Sequence, residues 1–174
     1  MRAGPICLLL VVLGSTLVRP LPAQNASMVV VAEVSDIAIS ILAADQLRFG
    51  TVTPGAPTLI DPQTSANAGR FEIRGARRAE FTLDMVLPVQ LTTGGPWSMP
   101  IAFGPNAACH RDKNQQNQCA YYDPSTTLVA KLRATPYPNN TYYVWVGGTV
   151  SPSPTQFPGV YSATITATVA YTGN

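Results

Sequence analysis

The stretch "GVYSATITATVAYTGN", residues 159–174, decides how the rest of the chain is read. Taken two residues at a time, Tyr161, Ala163, Ile165, Ala167, Val169 and Tyr171 share one face, and Ser162, Thr164, Thr166, Thr168 and Thr172 lie mostly on the other. That period of two, rich in β-branched residues, predicts a strand with one face in a core. A strand also needs partners along its edges, because a row of unpaired N–H and C=O groups templates pairing with another chain. The sequence therefore raises the question of what lies beside this strand.

Working back from it, strand-like runs are separated by turn chemistry throughout. Strands are predicted at Leu47 to Thr53, Thr58 to Asp61, Arg70 to Arg74, Ala79 to Leu87, Met99 to Phe103, Thr127 to Arg133 and Tyr142 to Val150. Phe81, Leu83, Met85 and Leu87 form an inward face, with Thr82 and Asp84 outward. Between the runs stand "TPGAP", "RGARR", "TTGGP", "FGPN", "YDPS", "YPNN" and "PSPTQFPG", which carry the Gly, Pro, Asn and Asp that turns require. No segment sustains an apolar period of 3.6. About nine short strands spaced this way predict an all-β, antiparallel β-sandwich of immunoglobulin-like or pilin-like kind, with a partly closed barrel as the variant. Residues 106–141 are the least patterned and read as a polar excursion.

Nearer the start, Met28, Val30, Ala32 and Val34 share one parity, and Ile37, Ile39 and Ile41 share the other. The slip falls at Ser35-Asp36. A shift of one residue turns every later side chain to the opposite face, so this is either a bulged strand or the join of two separate ones.

The first residues, "MRAGPICLLLVVLGSTLVRPLPA", have the charged start, short apolar run and small-residue end of a secretory signal peptide. Cleavage is expected after Ala23, with Ala26 as the alternative. The run is too short for a membrane span, and no transmembrane segment is expected elsewhere. The mature chain of about 150 residues suits one domain with its own core. The expected organisation is thus a signal peptide over 1–23, a separate N-terminal strand over 24–34 and one sandwich over 35–174. Loss of Arg2 and Arg19 with the signal leaves the basic side chains equal in number to the 9 acidic ones. A basic field that would draw nucleic acid or an anionic membrane is absent. Charged residues are 11% of the chain, well under the usual ~25%, so Thr, Ser, Asn, Gln and Pro cover the surface. Cys109 and Cys119 remain after cleavage, either as free thiols or as a disulfide across "CHRDKNQQNQC"; an oxidising compartment favours the disulfide.

Chemistry-bearing patterns are sparse. His110 is the single histidine, so a histidine-based metal cluster cannot be built, and it reads as a solvated loop residue. No nucleophile elbow, no calcium loop with its glycine and distal glutamate, and no cofactor motif is found. No catalytic residue can be named, and the expectation is a protein that is not an enzyme. Arg70, Arg74, Arg77 and Arg78 read as a solvated hairpin tip balanced by Glu72 and Glu80. Tyr121, Tyr122, Tyr137, Tyr142, Tyr143 and Trp145 could furnish a sugar-stacking surface, although aromatic residues on strands more often pack in cores or across strand pairs.

"LRFGTVTPG" (47–55), "AGRFEIRGARRAEFTL" (68–83), "MPIAFG" (99–104) and "VWVGGTVSPSPTQFPGVYSATITATVAYTGN" (144–174) resemble the bacterial secreted family known as domain of unknown function 4402. The resemblance covers the mature chain apart from residues 106–141. Pro158-Gly159-x-Tyr161 followed by a Thr-rich strand is also similar to spore-coat-U-like proteins and to subunits of archaic chaperone–usher pili. The pilin resemblance implies an incomplete sandwich whose groove, beside the last strand, is filled by the N-terminal extension of another subunit. Here that implies Met28, Val30, Ala32 and Val34 as donor side chains and Tyr161, Ala163, Ile165, Ala167, Val169 and Tyr171 as the acceptor wall. It implies a homopolymer or related subunits as partners, served by a periplasmic chaperone and usher. The other reading makes residues 28–42 a bulged strand paired within its own chain. The expected function is an exported, non-enzymatic structural subunit of a fimbria-like or coat-like surface assembly. The alternative is a stand-alone secreted or periplasmic binding module, with glycans as candidate ligands.

Overall fold

A computed structural model of the chain describes residues 37–173. The expected signal peptide, the donor residues Met28, Val30, Ala32 and Val34, and the phase slip at Ser35-Asp36 lie outside the described residues. Twelve strands follow one another with one short 3₁₀ turn and no α-helix among the described residues. They are β1 (Ser40–Asp45), β2 (Thr58–Ile60), β3 (Gly69–Arg74), β4 (Glu80–Val86), β5 (Gln90–Thr92) and β6 (Ser98–Ala102), then β7 (Ala108–Arg111), β8 (Ala120–Tyr122), β9 (Leu128–Lys131), β10 (Tyr142–Val146), β11 (Gly148–Val150) and β12 (Thr166–Tyr171).

Every ladder is antiparallel. A five-stranded sheet runs β1-β3-β10-β7-β8, a three-stranded sheet β12-β4-β9, and a four-stranded sheet β2-β11-β6-β5. The first two pack face to face. Ile73, Val144 and Val146 on one layer meet Phe81, Leu83 and Leu128 on the other, all buried, and the Phe81 ring meets Tyr142 edge-on at 5.4 Å. The fold is an all-β antiparallel sandwich, as the period-two runs predict.

Gly147 breaks the predicted 142–150 strand in two. A Cβ there would collide with the Ile60 carbonyl oxygen, so only glycine lets the chain pass from one sheet into the next.

The excursion expected over 106–141 is instead structural: besides β9, which falls where a strand was expected from Thr127 to Arg133, it contributes β7 and β8. Its short strands alternate too briefly for a pattern to emerge. Cys109 and Cys119 form a disulfide with Cα atoms 5.5 Å apart. The bridge holds the intervening segment over the outer face of the five-stranded sheet, where Trp145, Ile60 and Ala68 form a second small core with the two cysteines.

Leu47 to Thr53 does not form the expected strand. The β1–β3 register shifts between Ala43 and Asp45, and the chain then peels away, keeping one backbone bond from Arg48 N–H to the Asn67 carbonyl. β5, a strand of three residues, is not visible in the sequence pattern. Its partner pattern is, because Leu91 pairs with Met99 of β6.

Candidate functional site: a groove between two sheet edges

β12 lies at the edge of its sheet. It pairs with β4 from Thr166↔Val86 to Tyr171↔Phe81, and no ladder among the described residues occupies its other side. The strand expected from Tyr161 begins only at Thr166; upstream of it the chain makes one isolated bridge, in which Ser162 exchanges two 2.9 Å backbone bonds with Thr92. β1 is likewise an edge, bonded to β3 alone. The two edges face each other across the side of the sandwich.

At one end they are held together. The Tyr171 hydroxyl accepts a 2.6 Å bond from the Ala76 N–H and donates a 2.8 Å bond to the Ile37 carbonyl. A Cβ on Gly75 would strike this hydroxyl, so the turn is shaped around it. Ile39, Ile41, Val169 and Tyr171 pack there on the main core.

At the other end the edges part and a groove of about 1000 Å³ opens. One wall is Leu47, Phe49 and Val52; the other is Tyr161, Ala163 and Ile165. Met99, Ile101 and Val150 form its floor, and these three are themselves a buried cluster with Phe49, Val52 and Tyr161 only partly covered. The Tyr161 hydroxyl is tied back, accepting from Gln156 Nε2 and donating to the Phe157 carbonyl, both at 2.7 Å, so its ring stands as a fixed wall.

The six expected acceptor residues therefore divide. Tyr161 and Ala163 line the groove, Ile165 lines it and also packs on the main core, and Ala167, Val169 and Tyr171 pack on that core beyond the groove's closed end. The alternation is uniform along the strand, and nothing in it marks where the opposite layer ends. The groove's other wall, Leu47 to Val52, was expected as a paired strand; its apolar residues signalled burial of the right side chains without revealing the missing partner.

Of the aromatic residues that could furnish a sugar-stacking surface, Tyr142 and Trp145 are buried, Tyr121 and Tyr122 stand on β8, and Tyr137 lies in the loop between β9 and β10. His110 is not a solvated loop residue. It sits half-buried on β7, its Nδ1 2.6 Å from the Tyr142 hydroxyl and its ring edge-on to Tyr122. Burial lowers the imidazole pKa, and burial together with the Asp112 carboxylate pushes the Tyr142 hydroxyl up to about 12.

The arginines do not share one tip: Arg70 lies at the far end of β3 from the turn, and Glu80 takes a bond from Thr172 and, among the described residues, none from an arginine. Arg70 pairs with Asp45 and Glu72, Arg74 with Glu72, and Arg77 and Arg78 are exposed. Among the described residues no group of three or more His, Cys, Asp or Glu side chains is arranged to hold a metal ion, and no helix is long and apolar enough to cross a membrane.

The geometry defines a class: an antiparallel sandwich with an apolar groove between two sheet edges that no further ladder among the described residues occupies. The family described as Domain of unknown function (DUF4402) matches over residues 39–171, the disulfide segment included, and the chain belongs to it. No curated protein matches the chain.

Proposed function

We propose that this protein is an exported, non-enzymatic structural subunit of a fimbria-like or coat-like bacterial surface assembly, and that it polymerises by donor-strand exchange. In this reading residues 24–34 of one copy enter the groove of another, with Met28, Val30, Ala32 and Val34 as the inward side chains. A periplasmic chaperone and an usher would serve the same groove before assembly. The observation that carries the reading is the edge of β12 and of the 161–165 segment leading into it, which no ladder among the described residues occupies, beside an apolar groove. A strand added there gains backbone bonds along the edge and buries alternate side chains against Met99, Ile101 and Val150.

Strand direction favours exchange between copies over closure within one. The Ile37 carbonyl is bonded at the Tyr171 end. A segment of the same chain folding back from there into the groove would run parallel to the last strand, after a reversal within a residue or two. Every ladder described here is antiparallel. A segment from another copy can enter antiparallel with no such reversal.

Deleting residues 24–34 from the mature protein tests this. The expected result is loss of the ladder that the intact protein gives on an unboiled detergent gel. A ladder that persists after the deletion would sink the reading.

A further inference from the structure

The two ends of the sandwich differ in charge. From Met85 to Cys109, and again from Ala134 to Asn174, no Asp, Glu, Lys or Arg side chain occurs, and Phe49 to Ile60 is equally free of them. The 50–57, 88–101 and 151–162 parts of these stretches meet at the open end of the groove, where Ser162 pairs with Thr92 of β5, Gly55 N–H bonds the Pro152 carbonyl and Gln156 bonds the Ser98 carbonyl. There Trp97 and Phe157 stack face to face, ring centroids 4.7 Å apart and planes within 4°, and both stay nearly half exposed. Val89 and Val160 beside them are 78% and 87% exposed. Depletion of charge around exposed aromatic anchors is the composition of an interface centre and not of an ordinary solvated surface.

The opposite end presents exposed cations among paired charges. Arg77 and Arg78 project from the turn before β4; Arg133 alongside, whose carbonyl takes the Arg78 N–H, pairs with Asp112, and Glu80 takes a bond from Thr172. Arg78 holds a φ of 60°, a conformation that glycine or asparagine would adopt more cheaply. The chain also enters the described fold at this end, at Ile37, bonded to Tyr171.

Resting on the strand-exchange reading, direction then fixes which surfaces meet. A donor lying antiparallel to the last strand starts at the Tyr171 end and leaves at the Tyr161 end. Its own sandwich begins only two or three residues further on, with the end carrying Arg77 and Arg78 leading.

We propose that the uncharged end carrying the Trp97–Phe157 pair is the seat for a second copy of this chain, whose Arg77 and Arg78 pack on the aromatic rings. Guanidinium groups over indole and phenyl faces provide the attraction, strengthened where the contact excludes water. The groove then selects a strand, and the uncharged end sets the angle between successive subunits.

Cysteine pairing in the full mature protein tests the contact. Trp97→Cys and Arg77→Cys proteins are mixed, assembled and oxidised. The expected product is a covalent dimer that survives boiling without reductant, absent when Lys113→Cys replaces Arg77→Cys. A second measurement is growth rate: Trp97→Ser, and separately Arg77→Glu with Arg78→Glu, should slow elongation about tenfold while unboiled ladders still form. Ladders without the covalent dimer, or variants growing at the wild-type rate, would overturn the seat and leave strand exchange standing. A wild-type protein that stays monomeric would overturn both.

Discussion

The two ends of the last strand are built from the same alternation and meet different fates. Around Val169 and Tyr171 the strand closes over Ile73, Phe81 and Val144, all with no exposure at all. Around Tyr161 the segment leading into it stands by Met99, Ile101 and Val150, themselves buried, among Phe49, Val52 and Leu91, which stay only partly covered. Burial of apolar surface is worth roughly 25 cal/mol per Å², so the closed end supplies stability. The open end leaves part of the same driving force for another segment to realise. One strand thus closes a core at one end and leads from an open groove at the other.

Substitutions at the two ends separate these roles. Phe81→Ala, at the closed end, should cost about 3–5 kcal/mol in denaturant unfolding, because the surrounding core cannot collapse onto the space. Replacing Cys109 and Cys119 together by serine should cost about 2–3 kcal/mol, the loop-closure contribution of a short bridge. Assembly should persist, because the bridge secures the outer face of the five-stranded sheet and reaches the groove only through Leu47 and Phe49, which pack on the same small core. If ladders disappear with the disulfide while the monomer stays folded, the division between the ends is drawn in the wrong place.

Tyr171→Phe removes the hydroxyl that joins Ala76 and Ile37 and should cost about 1–2 kcal/mol, read as a lower denaturant midpoint at unchanged slope. Ala163→Asp sharpens the contrast from the other side. Ala163 is exposed, so the monomer's stability should move by no more than about 0.5 kcal/mol. Assembly should nevertheless be lost, because a carboxylate would be buried in the groove wall.

The smallest effect is a pH dependence. Burial holds the His110 pKa below its ordinary 6.5 in the folded state. As pH falls through 6.5 the unfolded chain binds the proton first, so stability present above that pH declines until the folded imidazole also titrates. The part of the acid sensitivity that vanishes in His110→Gln measures this contribution. No difference between the two proteins from pH 8 to pH 5 would mean the ring is freely solvated.

Much of this fold was readable from the sequence where strands were long and one-sided. Glu80–Val86, Gly69–Arg74 and the terminal strand declare their faces through six or seven alternating residues. Three-residue strands such as β5 and β8 show too few residues for a period to register, and their pairing is decided by distant partners. The excursion over 106–141 was misread for the same reason: Ala108–Arg111 owes its place to β10, not to its own pattern.

Of the candidate site, the sequence revealed one wall. Alternation identifies the inward side chains of a strand but carries no information about whether the facing layer extends far enough to cover them. The segment from Leu47 to Val52 illustrates the converse. Its apolar residues are correctly placed to face inward, while the register shift that detaches it from β3 lies in the pairing of Ala43 and Asp45.

The most direct test of the account is light scattering on the mature protein after size-exclusion chromatography, before and after heating in detergent. The account predicts multimers of the subunit mass that persist in cold detergent and fall to the single-subunit mass on heating. A protein that elutes with the mass of one subunit under both conditions, at concentrations where pili or coats assemble, would contradict it, because the groove would then have no second copy to receive.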